Sequence, residues 1–164
     1  PMALDTNLRN TRPIGEAAAR LGRCTAAPAF RLDEGPVPTV IPCAQPDQMA
    51  GQLRTLLRDL LHRQALRPEQ IAVLSPYRRD KAASTWAAGL DACKTTDVIA
   101  APPPGHVRVG TVQAFKGLEA DVVVLVGIDA RSMRHPATLY VGASRARAAL
   151  YVLAQADAGL GEAV

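Results

Sequence analysis

The segment TVQAFKGLEADVVVLVG, residues 111 to 127, joins a polar stretch to an almost unbroken apolar run. Lys116, Gly117 and Glu119 stand at the mouth of a predicted buried strand. Gly117 allows a tight turn whose exposed amides can meet a phosphate, with Lys116 and Glu119 at the sheet rim rather than inside. Lys-Gly-Leu-Glu is equally an ordinary loop, so these residues alone leave both readings open. Two further clusters carry arginines. LYVGASRARAAL places Arg145 and Arg147 at a predicted helix end, where a cation meets the helix dipole favourably. LDTNLRNTRPI places Arg9 and Arg12 around a helix start, where an arginine gains nothing from the dipole, so Arg9 asks for a functional reason.

The elements that must position these residues alternate between strand and helix. MALDTNL reads as a short strand, and TRPIGEAAARLG as a helix with Thr11 as candidate N-cap, Pro13 in the first turn and Gly22 at the stop. Five prolines between Ala26 and Pro46 predict a loop, with a short strand near TVIP. In PDQMAGQLRTLLRDLLHRQA, Met49, Leu53, Leu56, Leu57, Leu60 and Leu61 share one helical face. IAVLS is a predicted buried strand and RDKAASTWAAGL a predicted helix. After the break at APPPG, HVRVGTV puts Val107, Val109 and Thr111 on one face of a strand. DVVVLVGI, a helix around PATLYVGASRA and a last strand ALYVLA complete the chain. Apolar strands separated by helices predict a mostly parallel sheet covered on both faces, with ligands at the carboxyl ends of the strands.

The 164 residues are enough for one domain with a sizeable core, which six aromatics among 48% hydrophobic residues require to be built from Ala, Leu and Val. Sixteen of the 19 basic residues are Arg, and the net charge of +4 permits a polyanionic partner without demanding one. Cys24, Cys43 and Cys93 are far apart, and His62, His106 and His135 show no ligand spacing, so neither a metal site nor a disulfide framework is expected. Reduced thiols and a cytoplasmic location are the default. No stretch approaches the ~20 apolar residues of a membrane span, and the opening PMALDTNLRN has no apolar leader. That abrupt opening suggests a piece of something longer.

Taken together, three segments resemble a known family. TVQAFKGLEADVVVLVG resembles motif V of the UvrD/Rep-like superfamily 1 helicases, LYVGASRARAALYVL their motif VI, and LDTNLRNTRPIGEAA their motif IV. The order is the family's, with IAVLSPYRR between, and the resemblance runs from about residue 4 to 155. It implies a three-layer RecA-like α/β domain, the second (C-terminal) motor domain of such a helicase, with residues 1–164 a single domain. Arg9 and Arg145 would be the pair that reaches the γ-phosphate of ATP, and Glu119 the motif V acid at the nucleotide sugar, beside Lys116 and Gly117. Thr111 and Gln113 would face the nucleic-acid backbone, with Arg78 of SPYRR a further candidate. The family often has His where Gln113 stands. The implied partners are single-stranded DNA, with RNA possible, and the first RecA-like domain, which would hold most of ATP and Mg²⁺. The distance from SPYRR to HVRVGTV is short, so the large insertion of many members is expected to be absent.

A phosphate-binding loop needs G-x-x-x-x-G-K-[ST] between a strand and a helix. The nearest match, GHVRVGTV, has Thr111 where lysine is required and leads into a strand. No acidic pair resembling the Mg²⁺-binding Asp-Glu of the first motor domain is present either. Two alternatives to a DNA motor stay open, a motor acting on RNA and a non-motor α/β binding or scaffold domain. The isolated chain is expected not to hydrolyse ATP, since two arginines on an open surface are screened by water and salt. Calorimetric titration with ATP and Mg²⁺ is expected to be flat at micromolar concentrations. A clear micromolar site would contradict this reading.

Overall fold

Valine-rich runs without polar alternation need apolar cover on both faces, and the chain supplies it from helices on either side of a parallel sheet. A computed structural model describes residues 6–24, 29–32, 34–45, 47–78 and 85–160, with backbone alone for 6–9 and 29–32. The elements are β1 (Thr6–Thr11), α1 (Arg12–Leu21), β2 (Ala29–Leu32), β3 (Thr39–Cys43), α2 (Gln48–Arg58), β4 (Ile71–Ser75), β5 (Thr95–Thr96), β6 (Val107–Thr111), β7 (Ala120–Ile128), α3 (Pro136–Ala143) and β8 (Ala146–Gln155). Six strands form the main sheet in the order β3-β8-β7-β4-β6-β5, and every neighbouring pair is parallel. Strands β1 and β2 make a separate parallel pair.

Alternate residues of the central strands feed two cores. Ala72, Leu74, Val123, Leu125, Leu150 and Val152 pack with Ile14, Ala17, Ala18 and Leu21 of α1 and with Leu139 and Ala143 of α3. Ile71, Val73, Val122, Val124, Val126 and Leu153 pack on the other face with Met49, Leu53, Leu56 and Leu57 of α2 and with Trp86 and Leu90. The result is a three-layer α/β domain, as the sequence predicts. On the first face α1 and α3 approach closely, because a side chain on Gly22 would stand 2.8 Å from Tyr140 Cβ.

Several elements depart from expectation. Thr11 occupies the N-cap position of α1 but makes no side-chain cap bond, and its buried hydroxyl has no partner among the described residues. Gly22 ends α1 in a right-handed conformation rather than the left-handed one glycine usually supplies. Helix α2 continues as a π-helical turn, Asp59–Arg63, whose wider winding keeps Leu60 buried. The predicted helix RDKAASTWAAGL splits, with residues 79–84 outside the described residues and Thr85–Ala92 wound as a 3-10 helix. Strand β2 lies in the predicted loop, and β5 is too short to show a period. Residues 2–5 of the predicted first strand also lie outside the described residues.

The 3-10 segment sits hard against α2. A Cβ on Gly89 would stand 2.3 Å from the Ala50 carbonyl oxygen, so the two backbones touch where the side chain is missing. Arg54 fastens the same contact from outside, its Nε donating to Asp91 Oδ1 at 2.7 Å and its Nη2 to Asp91 Oδ2 at 2.9 Å and to the Ala88 carbonyl at 3.0 Å. Gly89→Ala is expected to cost about 1–3 kcal/mol by overpacking. Gly51→Ala, on the exposed face of α2 with nothing within 4 Å, is expected to gain about 0.5–1 kcal/mol. Urea denaturation of the two variants checks the opposite signs.

Candidate functional site

Because all strands of the main sheet run the same way, their starts share one edge and their ends the other. The amino edge gathers one set of the residues singled out in the sequence. Ala120 pairs with Ala146 across β7 and β8, and the Ala120 amide donates to the Arg145 carbonyl at 3.1 Å, which sets Glu119 beside Arg145 in the chain geometry. Asn10, 2% exposed, donates from Nδ2 to the carbonyls of Ser144 (3.1 Å) and Ala146, tying β1 to the same corner. The backbone of Arg9 is thereby carried to this edge, and its side chain lies outside the described residues. The Arg145 guanidinium lies along the last turn of α3, with Nε donating to the Val141 carbonyl at 3.0 Å and Nη2 to Ser144 Oγ at 3.2 Å. Arg147 is not at a helix end as expected. It stands exposed on β8, where its Nη1 lies 3.7 Å from Asp121 Oδ1.

At the carboxyl edge, β4 and β6 end side by side, with the Val112 amide donating to the Ser75 carbonyl at 2.9 Å. A cleft of about 530 Å³ opens here, lined by Arg78 and Thr111 together with Tyr77, Trp86, Thr96 and Asp97. Thr111 accepts the Ala114 amide on its hydroxyl at 3.1 Å, starting the turn that leaves Gln113 exposed at the rim. Tyr77 is anchored by its hydroxyl, which donates to Asp129 Oδ1 at 2.8 Å, while Arg131 lies 5.7 Å over its ring. The same Asp129 oxygen accepts the Ser132 amide at 2.7 Å. Gly127 bulges β7 beneath this wall at φ +71°, where a Cβ would stand 3.2 Å from Ser75 Oγ.

Residues 112–119 cross from one edge to the other. Expecting ligands at the carboxyl ends put the whole of QAFKGLE there, whereas the structure leaves only its start at that edge and delivers Glu119 to the amino edge. The reason is directional, since β7 runs parallel to β6 in the same sheet, with β4 between them, and must begin at the edge where β6 begins. Lys116 and Gly117 are exposed in mid-crossing, and Gly117 adopts φ +88°, the left-handed turn its type allows. A Cβ on Gly117 would meet nothing within 4 Å, so the turn is open to solvent.

Sequence reasoning missed Asn10, the Tyr77–Asp129 anchor and Arg108. Arg108 is 8% exposed, its Nη1 donates to the Glu119 carbonyl at 3.1 Å, and its guanidinium lies 5.1 Å over the buried Phe115 ring. Desolvation holds its pKa below the ordinary arginine value. The signal available was a single arginine between two valines of a predicted strand. Among the described residues, no group of three or more His, Cys, Asp or Glu side chains could hold a metal ion, and no helix is long and apolar enough to cross a membrane.

Burial and the bond to Asp129 push the Tyr77 hydroxyl up to about 12. The raised folded-state value means that this group's contribution to stability is complete below the unfolded tyrosine pKa of about 10 and is lost as pH rises toward 12. An ultraviolet phenolate titration is expected to show one tyrosine ionising late. Tyr77→Phe is expected to remove that late step, and a wild-type curve with every tyrosine titrating near 10 would contradict the assignment.

Comparison with solved structures places the fold. The chain is similar to the C-terminal domain of a possible DNA helicase from Lactobacillus plantarum WCFS1, with 21% identity and a TM-score of 0.62 over 91% of this chain and 88% of that one. The helicase of PRRSV aligns at 17% identity and a TM-score of 0.41, over 93% of this chain and 23% of the viral one. This chain therefore spans under a quarter of the viral protein. No curated protein matches the sequence. The family comparison falls on the part of the chain that builds both edges, from the residue before β6 through most of β8. Residues 106–153 match the model of the UvrD-like helicase C-terminal domain family.

Proposed function

We propose that this domain is the second motor half of an ATP-dependent superfamily 1 DNA helicase or translocase, inactive alone, with its nucleotide-facing surface on the amino edge and its strand-facing surface on the carboxyl edge. The observation that carries this reading is the sorting of residues by strand direction. Asn10 ties β1, and with it the backbone of Arg9, to the corner where Glu119 and Arg145 adjoin. Thr111 and Arg78 line one cleft at the opposite edge, with Gln113 at its rim.

The chemistry of the amino-edge residues fits a nucleotide triphosphate presented by a first motor domain. Glu119 would accept hydrogen bonds from the sugar, and Arg9 and Arg145 would meet the γ-phosphate. ATP with Mg²⁺, held mainly by the first domain, supplies the cleavable phosphoryl bond. Arginine suits this role because its planar fork grips phosphate oxygens in two places at once, which lysine cannot. A positioned arginine stabilises the charge that develops during phosphoryl transfer and is worth about 10³ to 10⁵ in rate. On the carboxyl edge, Thr111, Gln113 and Arg78 offer hydroxyl, amide and guanidinium groups to a phosphate backbone, a set that holds a strand without reading its sequence.

A second reading is favoured by the bonds Arg145 makes to Val141 and Ser144, which are those of a helix cap in a non-motor domain. One experiment separates them. In a two-domain protein with this chain as its second motor domain, Arg145→Ala is expected to leave ATP binding nearly intact and to cut nucleic-acid-stimulated turnover by orders of magnitude, about 10³ or more. Arg9→Ala is expected to behave similarly and Arg147→Ala to be milder. Full turnover with a lowered melting temperature would show that Arg145 only caps α3. Running the assay with DNA and RNA oligonucleotides identifies which strand stimulates.

A further inference from the structure

Arg108 is a cation in a place where an apolar side chain would pack. It lies on the face of β6 covered by the crossover 112–119, it is 8% exposed, and its Nε has no hydrogen-bond partner among the described residues. What it does hold is the crossover itself, by donating to the Glu119 carbonyl at 3.1 Å and lying 5.1 Å over the ring of Phe115, which is fully buried. A buried charge kept with an unused donor adds little to stability, because an apolar replacement of similar size is often neutral or stabilising. Its retention therefore points to a task other than packing.

The crossover gives that task a direction. The connection from β7 to β8 is carried by α3, and that from β3 to β4 by α2, each with its own ladder of backbone bonds. From β6 to β7 the chain has only an eight-residue turn, 112–119, closed by bonds from the amides of Phe115, Lys116 and Leu118 to the carbonyls of Thr111, Gln113 and Phe115. Its first residues carry Gln113 beside Thr111 at the carboxyl edge, and its last is Glu119. Its middle is open at Gly117. The ties from Arg108 are thus made at Phe115 and Glu119, one on each side of that open turn.

We infer that Arg108 is a positioning residue that couples the two edges: it holds the Phe115–Glu119 half of the crossover on the sheet, so that engagement of a strand at Thr111 and Gln113 sets the position of Glu119. This rests on the assignment of the two edges proposed above. Coupling of this kind is a difference between states and not a contact with substrate. It therefore appears in the ratio of stimulated to basal ATP turnover, and leaves fold stability and the ATP affinity measured without a strand in place.

The test uses a two-domain protein with this chain as its second motor domain, a single-stranded oligonucleotide of repeated thymidine as effector, and the variants Arg108→Met and Arg108→Lys. Arg108→Met is expected to melt at or above the wild-type temperature and to keep the wild-type KM for ATP in the absence of the oligonucleotide, while its stimulation ratio falls about tenfold. Arg108→Lys, which keeps the charge but loses the forked grip, is expected to fall part of the way, and it decides by the same ratio if the methionine variant does not fold. A wild-type stimulation ratio in either folded variant overturns the inference. So does a loss of melting temperature that runs in step with the loss of ratio, which assigns Arg108 to stability alone. Absence of stimulation in the wild-type protein, by contrast, removes the assignment of the edges on which the inference stands.

Discussion

Strand β7 is the constraint from which the rest of the domain follows. It is apolar through eight of its nine residues and buried at all but Asp121, so it can exist only with a neighbour on each side and a layer on each face. Strand β8 and strand β4 supply the neighbours, α1 and α3 one layer, and α2 with the 3-10 segment the other. Burial of that length in parallel strands also fixes direction. Every strand beginning is forced to one edge and every strand end to the other, and any chemistry attached to those ends is separated by the length of a strand. The domain has two separate chemical edges for a reason that precedes any function.

How much of this was legible in the sequence depended on whether a signal was local. The runs IAVLS and DVVVLVGI predict β4 and β7 closely because an uninterrupted apolar run has few other uses, and the leucines of α2 appear at helical spacing and are found buried, with Leu61 only partly so. The three-layer parallel architecture follows from their alternation. Strand β2 was hidden in a proline-rich loop because its pairing with β1 is set by a distant partner. The π-helical turn after α2 and the 3-10 winding near Trp86 were hidden for a related reason: each is a compromise in which packing overrides the local preference for an α-helix.

The candidate site was legible in its parts and not in its arrangement. Glu119, Arg145 and Thr111 could be picked out by type and company, but the sequence offers no sign that Glu119 and Thr111, only eight positions apart, belong to opposite edges. Arg108 was passed over because a charged residue between two valines is the ordinary pattern of a half-exposed strand, and only the crossover lying on it makes it buried. The segment 106–153 that matches the helicase C-terminal domain family holds both edges and the crossover between them, so the likeness to that family falls on the residues whose placement needed the structure.

The side chain of Asn10 reaches carbonyls 134 and 136 positions further along the chain. On a ribosome adding roughly 5 to 20 residues per second, the partners of Asn10 emerge on the order of ten seconds after Asn10 itself. Until then β1 has no docking place on the main sheet, and α1, whose apolar face packs against α3, waits with it. Strand β1 and α1 are thus synthesised before the sheet edge that seats them, a high-separation closure of the kind that slows folding. During that interval Ile14 and Leu21 are exposed to solvent, and the buried face of α1 is the surface a chaperone would meet.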